Sequence, residues 1–224
     1  MIVDARLTGE SARDYAYRIL KENIISTELK PGTLVSENET AARLGLSRTP
    51  VREAIYDLAK VSIIETIPQK GSFVALIDPK MVEEARFLRK VLDVAVIRLA
   101  CQETPPEILE AMEDNIDLQE FYLSKSNAEK IYELDNEFHR LIYVAAHKEI
   151  ICELKSNMLI HFDRVRSLSV ETVRDMKIVA DHSGMLAAIK EHDEEKAVAL
   201  VEKHLSRYHF DEELIRGQFP DYFK

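Results

Sequence analysis

The sequence predicts a mainly α-helical protein in two parts, an N-terminal winged helix-turn-helix over residues 1–77 and a C-terminal antiparallel helical bundle over residues 78–224. Three observations support this prediction. Short helical segments and two β-rich runs fill the first part, long amphipathic segments fill the second, and Asp78-Pro79 separates them. Because proline suits the first turn of a helix and not its interior, the boundary is placed at this dipeptide.

Local signals delimit three helices in the first part. The first helix is predicted over Ala12–Ser26 and is followed by the turn "KPGT". Ser36 with Glu39 three residues later forms a capping box, and Gly45 ends the short helix that this box begins. Ser47 then caps the third helix, which lies in "SRTPVREAIYDLAK".

Two β-rich runs, residues 63–67 and 72–77, flank the turn "PQKG" and predict a hairpin. Three helices followed by a hairpin is the order of a winged helix-turn-helix. The second part has no comparable strand signal, and its periodicity predicts an antiparallel bundle. The six helices expected there cover roughly residues 80–103, 105–124, 127–147, 148–167, 171–191 and 193–216.

The charge of the chain is unevenly distributed. Residues 1–77 contain ten Lys and Arg against ten Asp and Glu, so their net charge is 0. The remaining 147 residues contain twenty against thirty, a net charge of −10. Any DNA-binding surface is therefore expected in the first part, because the acidic bundle would repel phosphate.

Composition also bears on location. No apolar run approaches the roughly 20 residues that a membrane helix needs. The stretch "MIVDARLTGE" lacks the basic and apolar regions of a secretory signal. We therefore expect a cytoplasmic protein without a membrane partner. Cys101 and Cys152 lie far apart in apolar helical patterns and lack metal-ligand spacing, so both are predicted to be buried reduced thiols.

The third predicted helix has one face for packing and another for an anion. Arg48 and Arg52 lie one turn apart on one side, whereas Val51, Ile55 and Leu58 lie on another. Free N–H groups and partial positive charge at a helix N-terminus attract phosphate, and arginine can bridge guanine O6 and N7. The start of this helix is therefore predicted to enter the major groove. The alternative is a solvated basic face on an ordinary helical domain.

Three histidines and one aspartate interrupt the apolar faces of the bundle. In "IYELDNEFHRLIYVAA", Asp135 and His139 stand at i and i+4 on the margin of the apolar stripe, and His182 and His204 have apolar neighbours. Burying such groups costs several kcal/mol unless each polar atom finds a partner, and one divalent cation at about 2.0–2.2 Å would satisfy all four. This donor set suits Zn²⁺, with Ni²⁺ or Mn²⁺ as alternatives. For each histidine alone, the alternative is a satisfied core or surface residue.

The N-terminal motifs carry a family resemblance. The stretch "LVSENETAARLGLSRTPVREAIYDLAKVSIIETIPQKGSFVA" resembles the DNA-binding domain of GntR-family transcriptional regulators, over about residues 10–77. Two positions depart from the family: Asn38 stands where some members have a DNA-reading arginine, and Ser62 stands where relatives usually have glycine. The resemblance implies that the recognition helix and the wing contact operator DNA. Together with Lys70 at the hairpin turn and Ser47 at the cap, the predicted contacts are Ser47, Arg48, Thr49, Arg52, Lys70 and Gly71.

The bundle carries a second resemblance. "DNEFH" and "DHSGMLAAIKEHDEEKAVALVEKHL" resemble the all-helical, metal-binding effector domain of the FadR branch of this family, over about residues 80–215. The resemblance implies that the metal ligands are Asp135, His139, His182 and His204, and that open coordination positions face a small organic acid.

Further residues are candidates for contact with that acid. Arg89 stands where family members often have a ligand-facing arginine, and Arg164 and Arg166 in "HFDRVRS" could also pair with a carboxylate. His161 is a further candidate for lining the cavity, and surface positions are the alternative for each arginine. The remaining histidines are expected to be surface or structural residues: His147, His192 and His209.

These expectations combine into a metabolite-responsive repressor, a homodimer that binds two half-sites of an operator and senses a small carboxylate beside a divalent metal ion. Two alternatives remain at this point. A single-metal hydrolase could use the same four ligands, although no histidine follows a glutamate by three residues as in di-iron bundles. A helical adaptor with a structural metal would leave the arginines of the third helix unexplained.

Overall fold

Helices dominate the protein. The computed structural model describes residues 1–172, 177–206 and 208–224, and no side chain of residues 170–172 and 208–212. Within these ranges, eleven α-helices accompany one two-stranded sheet. The predicted mainly α fold is therefore confirmed, and none of the described helices is long and apolar enough to cross a membrane.

The N-terminal part has the predicted order of three helices and a hairpin. Ser11 caps the first helix by accepting a hydrogen bond from the Asp14 N–H, and Ser36 caps the second by accepting from the Glu39 N–H. Gly45 ends the second helix in the left-handed conformation, with φ of 65°. The elements are α1 (Ala12–Ile25), α2 (Glu37–Leu44), α3 (Arg48–Lys60), β1 (Ile64–Ile67) and β2 (Gly71–Val74).

The hairpin requires glycine at its turn. β1 and β2 pair antiparallel, from Ile64 opposite Val74 to Ile67 opposite Gly71. Gly71 has φ of 116°, and a Cβ built there would lie 2.9 Å from the Leu34 side chain. Both the backbone conformation and the lack of space therefore select glycine, whatever else the residue contacts.

The chain leaves the hairpin to pair with its own C-terminal segment. The Ile77 N–H donates to the Tyr222 carbonyl at 2.8 Å, and the Lys224 N–H donates to the Ile77 carbonyl at 3.0 Å. This pairing is why β2 is shorter than the predicted run over residues 72–77. The next helix begins at the predicted dipeptide, because the Asp78 carboxylate accepts from the Lys80 N–H at 3.0 Å.

The C-terminal part is a helical bundle whose helix ends differ from the prediction. Residues 148–167, expected as one helix, form two helices separated by residues 156–159. Residues 171 and 172, expected to begin the next helix, end the second of these two, and the next helix is described from Lys177. The predicted helix over 193–216 corresponds to two elements on either side of Arg207; this residue and residues 173–176 lie outside the described part of the chain. The elements are α4 (Pro79–Gln102), α5 (Pro106–Ser124), α6 (Ala128–Ala145), α7 (Glu149–Lys155), α8 (Ile160–Thr172), α9 (Lys177–Lys190), α10 (Glu194–Ser206) and α11 (Tyr208–Gln218).

Two apolar cores hold the two parts. Residues of α1, α3 and the hairpin form the first, and Ile160 at the start of α8 is fully buried among them. The break between α7 and α8 thus lets one bundle residue enter the N-terminal core, which an unbroken helix pattern could not show. The second core lies inside the bundle and contains Cys101. Cys152 is only half-buried, so the expectation of a buried thiol was wrong for this residue.

Candidate metal centre and nucleic-acid interface

The start of α3 is exposed, whereas its later turns pack inward through Val51, Ile55 and Leu58. Ser47 occupies the cap position, although its side chain makes no capping hydrogen bond. The free N–H groups of this first turn therefore lie beside exposed guanidinium groups, an arrangement suited to phosphate. The residues predicted to contact DNA are all exposed: Ser47, Arg48, Thr49, Arg52, Lys70 and Gly71.

A carboxylate on α2 binds both arginines of α3. Glu37 Oε2 accepts from Arg48 Nη2 at 3.0 Å and from Arg52 Nη2 at 3.2 Å. The hydrogen bond from Arg52, and after it the one from Arg48, holds the pKa of Glu37 below its ordinary value. Glu37 therefore directs the two side chains that the sequence predicts to read bases. Sequence reasoning missed this role, because the contact crosses from one helix to the next.

The two positions that depart from the family lie next to this surface. Asn38 is exposed on α2, beside Glu37. Ser62 follows α3 and adopts φ of 59°, the left-handed conformation that favours glycine. Its N–H donates to the Ala59 carbonyl at 3.0 Å, so the turn after α3 forms with serine in place of glycine.

Four buried side chains of the bundle converge on one point. Asp135 and His139 come from α6, His182 from α9 and His204 from α10; one ligand atom of each lies within 4.8 Å of the other three. Asp135 Oδ1 is 3.5 Å from His182 Nε2, and His139 Nε2 is 3.3 Å from His204 Nε2. His182 Nε2 is buried and has no hydrogen-bond partner among the residues that the structure describes. Three imidazole nitrogens facing one carboxylate oxygen fit a divalent cation of the Zn²⁺ type.

Two of these side chains, His182 and Asp135, are bound by outer partners, and the two other histidines each lie near a second carboxylate. His182 Nδ1 hydrogen-bonds Gln119 Oε1 at 2.8 Å, which leaves Nε2 with a free lone pair. His139 Nδ1 lies 3.7 Å from Asp93 Oδ2, and His204 Nδ1 lies 3.7 Å from Asp181 Oδ2. Arg166 binds Asp135 Oδ2, the oxygen that does not face His182. Such outer partners fix the ring orientation of metal-binding histidines and the position of metal-binding carboxylates.

Burial and charge place Asp135, His139 and His182 in the protonation states that a metal needs. Burial first, and the neighbouring His204 second, lower the pKa of His182 to about 3. Burial also holds the pKa of His139 well below its ordinary value, and the Arg89 guanidinium adds to this effect. Burial alone would raise the pKa of Asp135, but Arg166 and the three imidazoles hold it well below its ordinary value. Near pH 7, His139 and His182 are therefore neutral imidazoles and Asp135 is a carboxylate anion.

A buried charged network adjoins the cluster. Asp93 Oδ2 accepts from Arg89 Nε at 3.1 Å, and Asp93 Oδ1 accepts from Tyr143 and Lys155 at 2.6 and 2.9 Å. Burial would raise the pKa of Asp93, yet the charges of Lys155 and Arg89 lower it to about 2. Arg89 is 2% exposed, and within the described part of the chain its Nη1 has no hydrogen-bond partner. A buried guanidinium with an unpartnered N–H group next to His139 can bind a carboxylate.

His161 and Arg164 contact the N-terminal part. His161 Nε2 donates to the Val61 carbonyl at 2.8 Å, and Arg164 Nη2 donates to the Ala75 carbonyl at 2.8 Å. Their expected contact with an effector stays a prediction, which these hydrogen bonds do not support. Arg166 lies on the same helix but binds Asp135. The sequence places all three residues on one helix, and only the packing distinguishes their neighbours.

His147 and His192 lie apart from the cluster. His147 is exposed, and His192 Nδ1 contacts the Cys101 carbonyl at 2.7 Å; both have a left-handed backbone, with φ of 53° and 55°. The side chain of His209 lies outside the described part of the chain. Sequence reasoning did not name the outer partners Asp93, Gln119 and Asp181. A weak signal existed for Asp93, which follows Arg89 by four residues in a largely apolar helix.

Comparison with known proteins agrees with this two-part arrangement. Residues 12–74 match the bacterial regulatory proteins of the gntR family, and residues 84–207 match the FCD domain. An uncharacterized HTH-type transcriptional regulator in an unstable DNA locus of Streptomyces ambofaciens is 32% identical over 221 residues, which is 98% of this chain and 92% of that protein. The HTH-type transcriptional repressor RspR of Escherichia coli K12 is 29% identical over 225 residues, which is 100% of this chain and 99% of that protein.

Solved structures share the fold. Escherichia coli McbR/YncC superposes with a TM-score of 0.80 at 21% identity, covering 93% of this chain and 99% of that one. A GntR transcriptional regulator from Rhodococcus sp. RHA1 superposes with a TM-score of 0.74 at 20% identity, covering 92% and 97%. The chain belongs to the GntR family of bacterial transcriptional regulators and carries an N-terminal helix-turn-helix and a C-terminal FCD domain.

Proposed function

We propose that this regulator is a repressor whose binding to operator DNA responds to a small carboxylate, sensed beside a divalent metal ion in the bundle. One observation carries the proposal: four ligand atoms lie within 4.8 Å of one another, and Gln119 and Arg166 fix two of the four side chains, His182 and Asp135. The cluster is the sensor in this proposal. The start of α3, which exposes two arginines, is the part that binds DNA.

The proposed metal ligands are Asp135, His139, His182 and His204. Zn²⁺ is favoured by three imidazoles and one carboxylate, and Ni²⁺ or Mn²⁺ are the alternatives. FCD domains commonly bind metal, which supports the assignment. When bound, the ion supplies a Lewis acid for a carboxylate oxygen. Within the chain itself, Gln119 and Arg166 bind His182 and Asp135, whereas the carboxylates of Asp93 and Asp181 lie 3.7 Å from His139 and His204.

The proposed effector is a small organic acid that meets Arg89. This side chain is buried, has an unpartnered Nη1 and is close enough to His139 and His182 to lower the pKa of both. Asp93 faces two buried cations, Arg89 and Lys155, and a negatively charged ligand would neutralise the positive charge that remains. We therefore propose that Arg89 binds the carboxylate of the effector. A coupling of this kind is reciprocal, so operator DNA must change the affinity for the effector by the same factor.

The DNA-binding half is proposed to comprise residues 1–77 and the effector-binding and dimerisation half residues 78–224. Ser47, Arg48, Thr49 and Arg52 would meet the major groove, with Lys70 and Gly71 at the neighbouring backbone or minor groove. A homodimer places two such surfaces on two half-sites, and GntR regulators typically dimerise.

The related RspR is named a transcriptional repressor, which supports repression as the direction of regulation. Because its partner is chromosomal DNA, the cytoplasm is the proposed location. The hydrolase alternative has no support among the relatives, which are regulators.

Native mass spectrometry of freshly purified protein, followed by denaturation of the same sample, tests the sensor. We expect a dimer with about one divalent ion per subunit and a small carboxylic acid released on denaturation. The released acid should then change operator affinity. A protein that is metal-free and cannot be reloaded would show that Asp135 and the three histidines are structural polar residues.

Glu37→Gln is expected to weaken discrimination between operator and other DNA. The substitution removes a negative charge beside the phosphates and releases Arg48 and Arg52 from their shared partner. One charge–charge contact in water contributes about 1 kcal/mol. We therefore expect affinity for random duplex DNA to rise about fivefold, with a smaller gain or a loss on operator DNA. Glu53→Gln, on the exposed side of α3, serves as a matched control for the loss of charge. Equal gains on both DNAs in the Glu37 variant would contradict a directing role.

A further inference from the structure

Helix α8 contacts both halves of the protein. At its start, Ile160 is fully buried in the N-terminal core. One residue later, His161 donates to the Val61 carbonyl at the end of α3, and Arg164 donates to the Ala75 carbonyl just after β2. Three successive contacts thus join α8 to the end of the recognition helix and to the base of the wing.

The next turn of α8 reaches the metal cluster. Arg166 binds Asp135 Oδ2 and donates to Asn136 Oδ1 at 2.9 Å. Asp163, on α8 itself, accepts from Arg166 Nη1 at 2.7 Å and fixes the side chain to its own helix. Only five residues separate His161 from Arg166, about 7.5 Å along a helix at about 1.5 Å per residue. A helix cannot stretch over so short a distance, so a shift at one end moves the other.

The polar groups at the junction with the N-terminal part are deeply buried but make few hydrogen bonds. Arg164 is 0% exposed, yet among the described residues its Nε and Nη1 have no hydrogen-bond partner. His161 Nδ1 is buried and unpartnered as well. Buried polar groups without partners destabilise the arrangement that contains them. The polar contacts of the junction therefore favour the observed position of α8 only weakly, as an element that changes position requires.

We propose that α8 is the element that couples the metal site to the DNA-binding half, with Arg166 positioning the ligand Asp135 and with His161 and Arg164 positioning α3 and the wing. This inference rests on the proposed function and specifies which contacts connect the metal site to the DNA-binding half. A displacement of Asp135 moves Arg166, and the rigid turn transfers it to the carbonyls of Val61 and Ala75. Operator affinity then depends on whether the four ligands hold an ion.

A second contact between the halves provides a comparison. Lys21 of α1 donates to the Ser156 carbonyl at 3.3 Å and to Asn157 Oδ1 at 3.1 Å, in the segment between α7 and α8. This contact does not reach Asp135. Lys21→Met therefore removes a bond between the halves without removing any bond of the proposed route.

The experiment measures operator affinity of full-length protein with and without stoichiometric Zn²⁺, on a duplex selected from random DNA with the wild-type protein. We expect the two dissociation constants of the wild type to differ at least about fivefold, the lower end of common allosteric coupling. In the variant His161→Leu/Arg164→Met, Zn²⁺ affinity should stay within twofold of wild type while the ratio of operator affinities falls to about one. His161→Gln, which keeps a donor for Val61, and Lys21→Met should both retain the wild-type ratio.

The outcomes separate the inference from the proposed function. A double variant that keeps the wild-type ratio overturns the role of α8 and leaves the sensor intact. Equal operator affinity with and without Zn²⁺ in the wild type overturns both. If Lys21→Met binds operator equally well with and without Zn²⁺, the coupling runs through the segment before α8, and the inference is overturned. If the double variant does not fold, Arg164→Met alone decides, and amide exchange at residues 61–63 and 75–77 of the wild type should change on Zn²⁺ addition.

Discussion

Replacing Arg52 by alanine is expected to lower operator affinity at least about 30-fold without unfolding the protein. An arginine that bridges a guanine contributes about 1–3 kcal/mol, so a dimer that loses one contact in each half-site loses about 2–6 kcal/mol. Arg52 is exposed, and its ion pair with Glu37 is a surface pair that contributes little to folding. Fluorescence anisotropy on the selected operator, with a thermal melt of the same preparation, measures both quantities.

Arg140→Ala is the matched control for this substitution. Arg140 lies on α6 in the acidic bundle, is exposed and pairs with Glu137 at 2.6 Å. Its removal deletes the same charge far along the chain from α3, and operator affinity should stay within twofold of wild type. Wild-type affinity in Arg52→Ala would exclude the start of α3 from the DNA interface. Comparable losses in both variants would mean that overall charge, and not this helix, governs binding.

The N-terminal half was predictable because its signals are local. Ser36, Gly45 and Ser47 mark helix ends that depend on neighbouring backbone groups, and the structure places these ends within a residue of the prediction. The pairing of Glu37 with Arg48 and Arg52 was not predictable, since it depends on the angle between α2 and α3. Spacing along a chain reports which face a side chain occupies, but not which helix lies opposite.

Ser62 shows how a local departure from a family is absorbed. The absence of glycine after α3 put this turn in question, yet Ser62 adopts φ of 59° and keeps the hydrogen bond to Ala59. A left-handed residue other than glycine costs about 1 kcal/mol or more. Packing of the adjacent Ile63 and Ile64, both buried, outweighs that amount. Tertiary contacts therefore decide a conformation that propensity alone disfavours.

The bundle was less predictable for the same physical reason. Asp135 and His139 follow from i, i+4 spacing on one helix, whereas His182 and His204 required a family resemblance to join them. The sequence does not signal the break at residues 156–159, because "SNML" contains neither glycine nor proline. It forms where Ile160 enters the other core, a long-range effect. The contacts of His161 and Arg164 with the N-terminal half depend on that break.

Replacing His139 by alanine is expected to abolish stoichiometric metal binding and the stabilisation that the metal provides. In the wild type, an ion present at about 1,000 times its dissociation constant stabilises the folded state by about 4 kcal/mol. At about 2–4 °C per kcal/mol for a chain of this size, removal with a chelator should lower Tm by about 8–16 °C. The smaller side chain in His139→Ala leaves a void that itself lowers Tm. The Tm of this variant is therefore measured with and without metal, and the two values should be equal.

His147→Asn separates the cluster from histidines in general. His147 is exposed and lies two residues after the end of α6, the helix that contains His139. Its backbone is left-handed, a conformation that asparagine tolerates. This variant should keep one ion per subunit and the full chelator-dependent fall in Tm. A folded His139→Ala protein that still bound one ion per subunit with wild-type affinity would refute the site. His139 Nε2 lies 3.3 Å from His204 Nε2, and His182 Nε2 and Asp135 Oδ1 are 3.5 Å apart, so the four donors converge on one point and His139→Ala leaves only three of them.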